Sequence, residues 1–496
     1  MTAPTPPIEL AGPAEDVRSR LAEPAPLDPA VLEALAAACP DTTSDPATRA
    51  EASRDWWPLA MHWAVAGQVG ALASVVCRPA GVAEVTAVLR VCHEHGVPVT
   101  AAGGRSGVCG ASVPRYGGVM LDLTAMAGVV GVDDESLTAD VLPGTFGPDL
   151  EADLRARGLT LGHWPQSMDI STVGGWLACR GAGQYSTRYG KIEDMVVGLD
   201  VLLGDGRLVS TGGGPRAAVG PDLTQLFVGS EGTLGIITGA RLRVHPVPSG
   251  EGRAAFGFAS WDDGVEACRR ILRRGATPAV LRLYDPIESQ RSHDTDGSVA
   301  VLLVLDEAEP LLVDATMAIV AEECAAATPL DEALVESWLE HRNDVSALEA
   351  LTRKGFVVDT LEIAGPWSRL PGIYLNTTAA LLAVPHARVA SAHLSHSYLD
   401  GACLYFTFAA TPPAEEIEST YVSLWDAGTR AVLAAGGNLS HHHGVGLNRD
   451  RFVAEALGSG HDVLSAVKAA LDPAGILNPG KLGMGGPIGP GGTTWP

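Results

Sequence analysis

The chain has 496 residues, 46% of them hydrophobic and 19% charged, with a formal net charge of −24. That hydrophobicity excludes disorder of the whole chain, and the length predicts two to four domains at ~100–200 residues each. The excess of acid, 58 Asp and Glu against 34 Lys and Arg, argues against a nucleic-acid or anionic-membrane binder.

Residues 1–69 read as an arm, partly loose and Pro/Ala/Asp-rich to about residue 50, with one helix and order beginning near Asp55-Trp56-Trp57. Met1 to Pro7 carry neither the basic start nor the apolar core of a signal peptide. No apolar run reaches the ~18 residues of a membrane span. The eight cysteines are scattered without a C-x-x-C pair, which is neither a disulfide framework nor a zinc site. The expectation is a soluble, cytoplasmic protein with reduced thiols, no resident metal and no nucleic-acid partner. A homodimer is compatible with it.

From Val75 a β-α-β unit is predicted. Val75-Val76-Cys77 ends at Pro79, and Val82, Val85, Leu89 and Cys92 recur at helical spacing up to Gly96. Val97 to Thr100 and Gly118 to Leu123 are strands, separated by a loop with glycines at 103, 104, 107 and 110. Phe146, Leu150 and Leu154 mark a helix closed by Gly158. Val197, Leu199, Val201 and Leu203 alternate into a hairpin turning at Asp205-Gly206. A strand through Leu242 and Val244 closes a first domain, 70–248. Helices (265–272 and 315–324) and strands (300–305 and 403–408) then make a second α+β domain, 249–430. The segment 431–496 holds a histidine run, a helix from Val463 to Leu471 and a glycine tail.

Three segments offer cofactor chemistry. The Gly103–Gly110 loop lets backbone N–H groups approach a phosphate, and because a strand follows it rather than a helix, it is a poor match to a nicotinamide fingerprint. His163-Trp164-Pro165-Gln166-Ser167-Met168-Asp169-Ile170-Ser171-Thr172-Val173-Gly174-Gly175-Trp176 places two hydroxyls beside a Gly-Gly turn. Gly229-Ser230-Glu231-Gly232-Thr233-Leu234-Gly235-Ile236-Ile237 combines tight backbone passage with two isoleucines that can pack under a flat ring.

Together these segments resemble the vanillyl-alcohol-oxidase / p-cresol-methylhydroxylase (PCMH-type) family of FAD-binding proteins, through P-x-S-x-x-x-S-T-V-G-G and G-S-E-G-T-L-G-I-I. The resemblance implies an α+β fold, a PCMH-type two-subdomain FAD-binding domain followed by an α+β substrate cap. It implies FAD contacts at Ala102, Gly103, Gly104, Arg105, Ser106 and Gly107, and at Pro165, Gln166, Ser167, Asp169, Ile170, Ser171, Thr172, Val173, Gly174 and Gly175. Further contacts are implied at Cys179, Arg180, Gly181 and Ala182, and at Glu231, Gly232, Thr233, Leu234, Gly235, Ile236 and Ile237. Members with covalent flavin in the first loop have a histidine where this chain has Arg105, so non-covalent FAD is expected.

Ser440-His441-His442-His443-Gly444 presents three consecutive imidazoles, of which two can face one pocket. Their pKa range suits proton abstraction. Tyr405 alternates with Leu404, Phe406 and Phe408, and taken alone reads as a core tyrosine. The S-H-H-H-G-V-G run, the G-A-C-L-Y-F stretch and the histidine preceding the S-T-V-G-G segment are similar to the alkylglycerone-phosphate-synthase branch. That similarity implies acid/base roles for Tyr405, His441, His442, His443 and His163. It also implies exchange of the acyl chain of an acyl-ketone phosphate for a fatty alcohol through a flavin N5 adduct, with a lipid-like substrate. The D-lactate/glycolate dehydrogenase branch has a glutamate where this chain has His442.

The branch's phosphate-gripping arginine aligns with Leu348, leaving Arg353 or Lys354 to reach in from a shifted loop. The alternative is an FAD oxidase or dehydrogenase of a hydroxy acid or alcohol, using the same histidines. A flavin-carrying binding or sensor protein is the non-enzymatic reading.

Overall fold

The computed structural model describes residues 6, 8–21, 23, 26–345 and 347–485. Three sheets position the site. In the first, Val75–Cys77 and Val99–Ala102 both run parallel to Val119–Asp122, with Thr42–Thr43 on the outer edge. The crossover is the helix Val82–His95, which ends on Gly96 in the left-handed conformation (φ 63°), where a Cβ is unfavourable. Val85, Leu89 and Cys92 from this helix pack on Val75, Val99, Val119 and Leu121. The first glycine loop therefore leaves the carboxyl end of a buried parallel strand.

The second sheet is antiparallel, in the order Leu208–Gly212, Val196–Leu202, Ile236–Arg243, Thr138–Val141, Val129–Asp133. The expected hairpin is present: Leu202 pairs with Leu208 across a turn in which Gly206 has φ 79°. Ile236 and Ile237 open their strand rather than lying in a loop, and this pins the preceding Gly229–Gly235 segment to the sheet.

The third sheet has seven strands, in the order Thr328–Leu330, Gly250–Phe258, Ala300–Ala308, Val280–Tyr284, Ala387–Ser397, Gly401–Ala410, Val357–Pro366. Helices Trp261–Arg273, Pro310–Glu323, Leu370–Leu382 and Ile417–Ala434 belong to the same region. Along Gly401–Ala410, Leu404, Phe406 and Phe408 enter the core with Tyr421 and Trp425. Because side chains alternate on a strand, Tyr405 and Thr407 point to the other face.

Two expectations are corrected. Among the described residues before 55 there are two α-helices rather than one helix, Pro29–Ala38 and Pro46–Ala52. Each begins on an aspartate, Asp28 or Asp45, whose carboxylate accepts a first-turn N–H. Val31 and Leu35 bury against the first sheet, so the arm is docked. Gly174 and Gly175 form no turn beside Thr172; they belong to the helix Val173–Cys179. Among the described residues no helix is long and apolar enough to cross a membrane.

Candidate active site

A cavity of ≈ 370 Å³ lies where the glycine loops meet the third sheet. One side is built by Ala102, Gly103, Gly104, Arg105, Ser106 and Gly107, by Pro165, Gln166, Ser167, Asp169, Ile170, Thr172, Gly174 and Gly175, and by Cys179, Gly181 and Ala182. Glu231, Gly232, Gly235, Ile236 and Ile237 continue this wall, and Tyr405, His442 and His443 face it from the cap.

Other predicted contacts turn elsewhere. Ser171 Oγ accepts a hydrogen bond from Trp176 Nε1 at 2.6 Å, and Val173 and Leu234 are core. Arg180 binds the Val228 carbonyl (3.0 Å) and Gln225, and Thr233 Oγ1 donates to the Ser230 carbonyl at 2.7 Å. His163 is also outside the cavity wall. It is completely buried 4.7 Å from the Trp176 ring, burial pushes its pKa down to about 3, and neither ring nitrogen finds a protein partner.

The glycines act differently from expectation. A Cβ on Gly103 would meet Thr172 Oγ1 at 2.1 Å, and one on Gly104 would meet the Ile170 carbonyl at 2.1 Å. Their missing side chains let two loops touch. At Gly107, Gly175 and Gly232 the nearest atoms lie 3.5–3.9 Å away, so the open backbone faces the cavity there. Thr172 Oγ1 is buried, caps no helix N–H and has no partner. An unpaired buried hydroxyl in a main-chain-rich wall fits a phosphate-bearing ligand, while Val108, Leu123, Ile236 and Ile237 supply apolar surface for a flat ring.

Two buried carboxylates hold the imidazole loop. Glu362 accepts the His442 and His443 N–H groups (3.0 and 2.7 Å) and the Ser440 hydroxyl (2.6 Å), and pairs with Arg449. Its burial opposes the charge, but Arg449 and His443 outweigh that and hold the carboxyl well below its ordinary range. From the other side Glu231 accepts the Val445 and Gly446 N–H groups at 2.5 and 2.9 Å. Gly444, at φ 80°, has no room for a side chain there: a Cβ would lie 2.4 Å from Glu231 Oε1.

The loop so held forms a relay. His442 Nδ1 lies 2.8 Å from His441 Nδ1, and His441 Nε2 lies 2.8 Å from the Tyr398 hydroxyl. One partner of each pair carries the proton, so the tautomers of the two rings are locked together, leaving His442 Nε2 for the cavity. Burial pushes His441 down to about 3 and lowers His442 and His443, the last against the neighbouring Glu362 carboxylate. Tyr405 stacks on His393 (4.9 Å, 19°) and meets His443 edge-on at 5.5 Å. Burial raises its pKa, against a hydrogen bond that Thr360 Oγ1 donates at 3.1 Å, so the phenol stays protonated.

Behind the cavity, His396 stacks on His441 at 5.1 Å and its Nδ1 is tied to Ser186 Oγ at 2.7 Å. One ring nitrogen each from His396, His441 and His442 lies within 4.8 Å of the others, a spacing able to hold a transition-metal ion. His396, Tyr398, Arg449 and Asn343 carried no local sequence signal, and Glu362 served only as an alignment mark.

A glycine-cradled cavity faced by Tyr405, His442 and His443 defines a PCMH-type FAD-binding enzyme. Comparison with known proteins agrees. Residues 73–212 match the family described as FAD binding domain, and residues 248–482 match the FAD linked oxidases, C-terminal domain. The chain belongs to the FAD-linked oxidoreductase family.

It is 33% identical over 422 residues to an uncharacterized FAD-linked oxidoreductase, YgcU, of Escherichia coli O157:H7 (80% of this chain, 86% of the relative). It is 31% identical over 457 residues to the alkyldihydroxyacetonephosphate synthase of Dictyostelium discoideum (84% and 74%). Among solved structures, an alkyldihydroxyacetonephosphate synthase superposes with a TM-score of 0.79 at 26% identity, covering 97% of this chain and 89% of that one. The fold is shared with p-cresol methylhydroxylase (TM-score 0.76, 17% identity, 92% and 96% coverage).

Proposed function

We propose that this enzyme oxidises a small hydroxy acid, with His442 and Tyr405 managing the hydroxyl proton and Arg342 receiving the carboxylate. Arg342 carries the reading. Its Nη1 is buried without a hydrogen-bond partner. Its guanidinium lies 5.2 Å from the Tyr185 ring and 5.5 Å from Trp338, and the neighbouring Asn343 and Val345 wall the cavity. A carboxylate pairs with such a group in bidentate fashion.

The segment aligned with the phosphate grip offers nothing comparable. Leu348 packs with Ile8, Met61 and Ala64. Arg353 stays on an exposed helix face, paired with Glu349 at 2.8 Å, and Lys354 is exposed.

Bound FAD supplies the two-electron sink. The protein's part is positioning and proton handling. His442 Nε2, neutral through burial, takes the hydroxyl proton, and the His441–Tyr398 pair behind it adjusts tautomer. The protonated Tyr405 donates a hydrogen bond to the substrate oxygen and orients it.

Exchange of an acyl chain for a fatty alcohol on a ketone phosphate is the second reading, supported by His442 and His443 lying beside Tyr405 on one side of the cavity. Anaerobic mixing separates the two. A hydroxy acid that bleaches the flavin supports oxidation; an unbleached flavin together with fatty-acid release from an acylated ketone phosphate overturns it. On the first reading, Arg342→Met raises KM for the hydroxy acid ~10–100-fold with a smaller change in kcat, measured by steady-state kinetics. With Arg105 paired to the buried Asp122 at 3.2 Å, we propose non-covalent FAD. Acid precipitation then leaves all the flavin in the supernatant, and yellow precipitate refutes it.

A further inference from the structure

The arm that precedes the FAD-binding match contributes an acid to the cavity wall. Asp55 is 1% exposed and lies outside both matched segments, the first of which begins at residue 73. Its Oδ1 accepts the Trp57 N–H at 3.2 Å, whereas its Oδ2 is buried without any hydrogen-bond partner. The carboxyl lines the cavity beside Trp56 and Gly107, and a Cβ on Gly107 would lie 3.7 Å from that unpaired oxygen.

Arm and glycine loop are joined at this point, because the Trp56 N–H donates to the Gly107 carbonyl at 2.8 Å. Burial pushes the carboxyl up to about 7, against the Trp57 N–H, the nearby Lys481 charge and the Gly110 N–H. A buried oxygen without a donor is rare in native folds and is accounted for where a ligand supplies the donor.

We propose that Asp55 is a positioning residue for the cofactor: its Oδ2 accepts a hydrogen bond from an O–H or N–H group of bound FAD, so the arm completes the cofactor site. This rests on FAD binding, which the family match shows, and not on the choice of reaction.

Holoenzymes of the wild type, Asp55→Ala, Asp55→Leu and Asp55→Asn are diluted, and the rise of free flavin fluorescence is followed. FAD and FMN are then titrated back. Asp55→Ala releases FAD ~10–100-fold faster and binds it correspondingly more weakly, the weight of one buried hydrogen bond whose partner is left unpaired. Asp55→Leu, which keeps bulk without an acceptor, gives the same readout where Asp55→Ala fails to fold. Asp55→Asn retains an acceptor oxygen and stays within ~3-fold of wild type.

Weakening of both ligands places the donor on the ribityl-flavin half, and weakening of FAD alone places it on the adenosine half; either supports the proposal. Unchanged release from both apolar variants overturns it. So does a loss of urea stability from flavin-free wild type to flavin-free variant as large as the loss between the two holoenzymes, which would make Asp55 structural.

Discussion

Glu362→Gln lowers stability by about 3–5 kcal/mol and abolishes turnover, because it strands Arg449 as an unpaired charge in the interior. Both side chains are fully buried and each is the other's counter-ion. Removing one partner of such a pair exposes the full desolvation cost of the other. Glu362 also accepts two backbone N–H groups of the imidazole loop and the Ser440 hydroxyl, so the loop loses its anchor in the same step. Urea denaturation measures the first effect and steady-state rates the second.

The double variant Glu362→Leu/Arg449→Met separates them. With no charge left unpaired it recovers part of the stability, but not the rate. The acid side gives a further check. The carboxyl of Glu362 is depressed from an ordinary value of 4.5, so its contribution is complete above about pH 4.5 and disappears as pH falls toward the folded pKa. Glu362→Gln therefore flattens the fall in stability on the acid limb.

Tyr405→Phe cuts kcat by ~10²–10⁴-fold, the usual weight of a positioned acid/base group, with the flavin spectrum unchanged. The substitution removes only a hydroxyl. The ring keeps its stack on His393, and the one hydrogen bond to the hydroxyl comes from Thr360, so the melting temperature stays within about 2 °C. Flavin absorbance per polypeptide and kcat on the same preparation decide the point. Loss of bound FAD would make Tyr405 a structural residue instead.

Much of this was legible in local pattern. Gly96 closing a helix, Asp205-Gly206 turning a hairpin and the alternation around Tyr405 are short-range rules, and each appears in the structure as the spacing predicts. The glycine loops were legible as cofactor surface, although at Gly103 and Gly104 the missing side chains admit another loop, which no single segment could reveal. The arm's second helix went unread because its apolar residues are few, and its position owes as much to docking on the first sheet as to its own periodicity.

By itself the sequence determined that this is an FAD-cradling α+β chain carrying a tyrosine on an alternating strand and three imidazoles in a loop. Backbone conformation and side-chain alternation are set by neighbours along the chain. Only the tertiary structure decided which groups can act. Glu362 meets Arg449 across 87 residues, Glu231 meets Gly446 across 215, and the Trp56 N–H reaches the Gly107 carbonyl about fifty residues on. Arg342 is packed against Tyr185 and Trp338 while Arg353 remains on an exposed helix face. Burial and long-range pairing set those charges and proton affinities, and both exist only once distant segments have packed together.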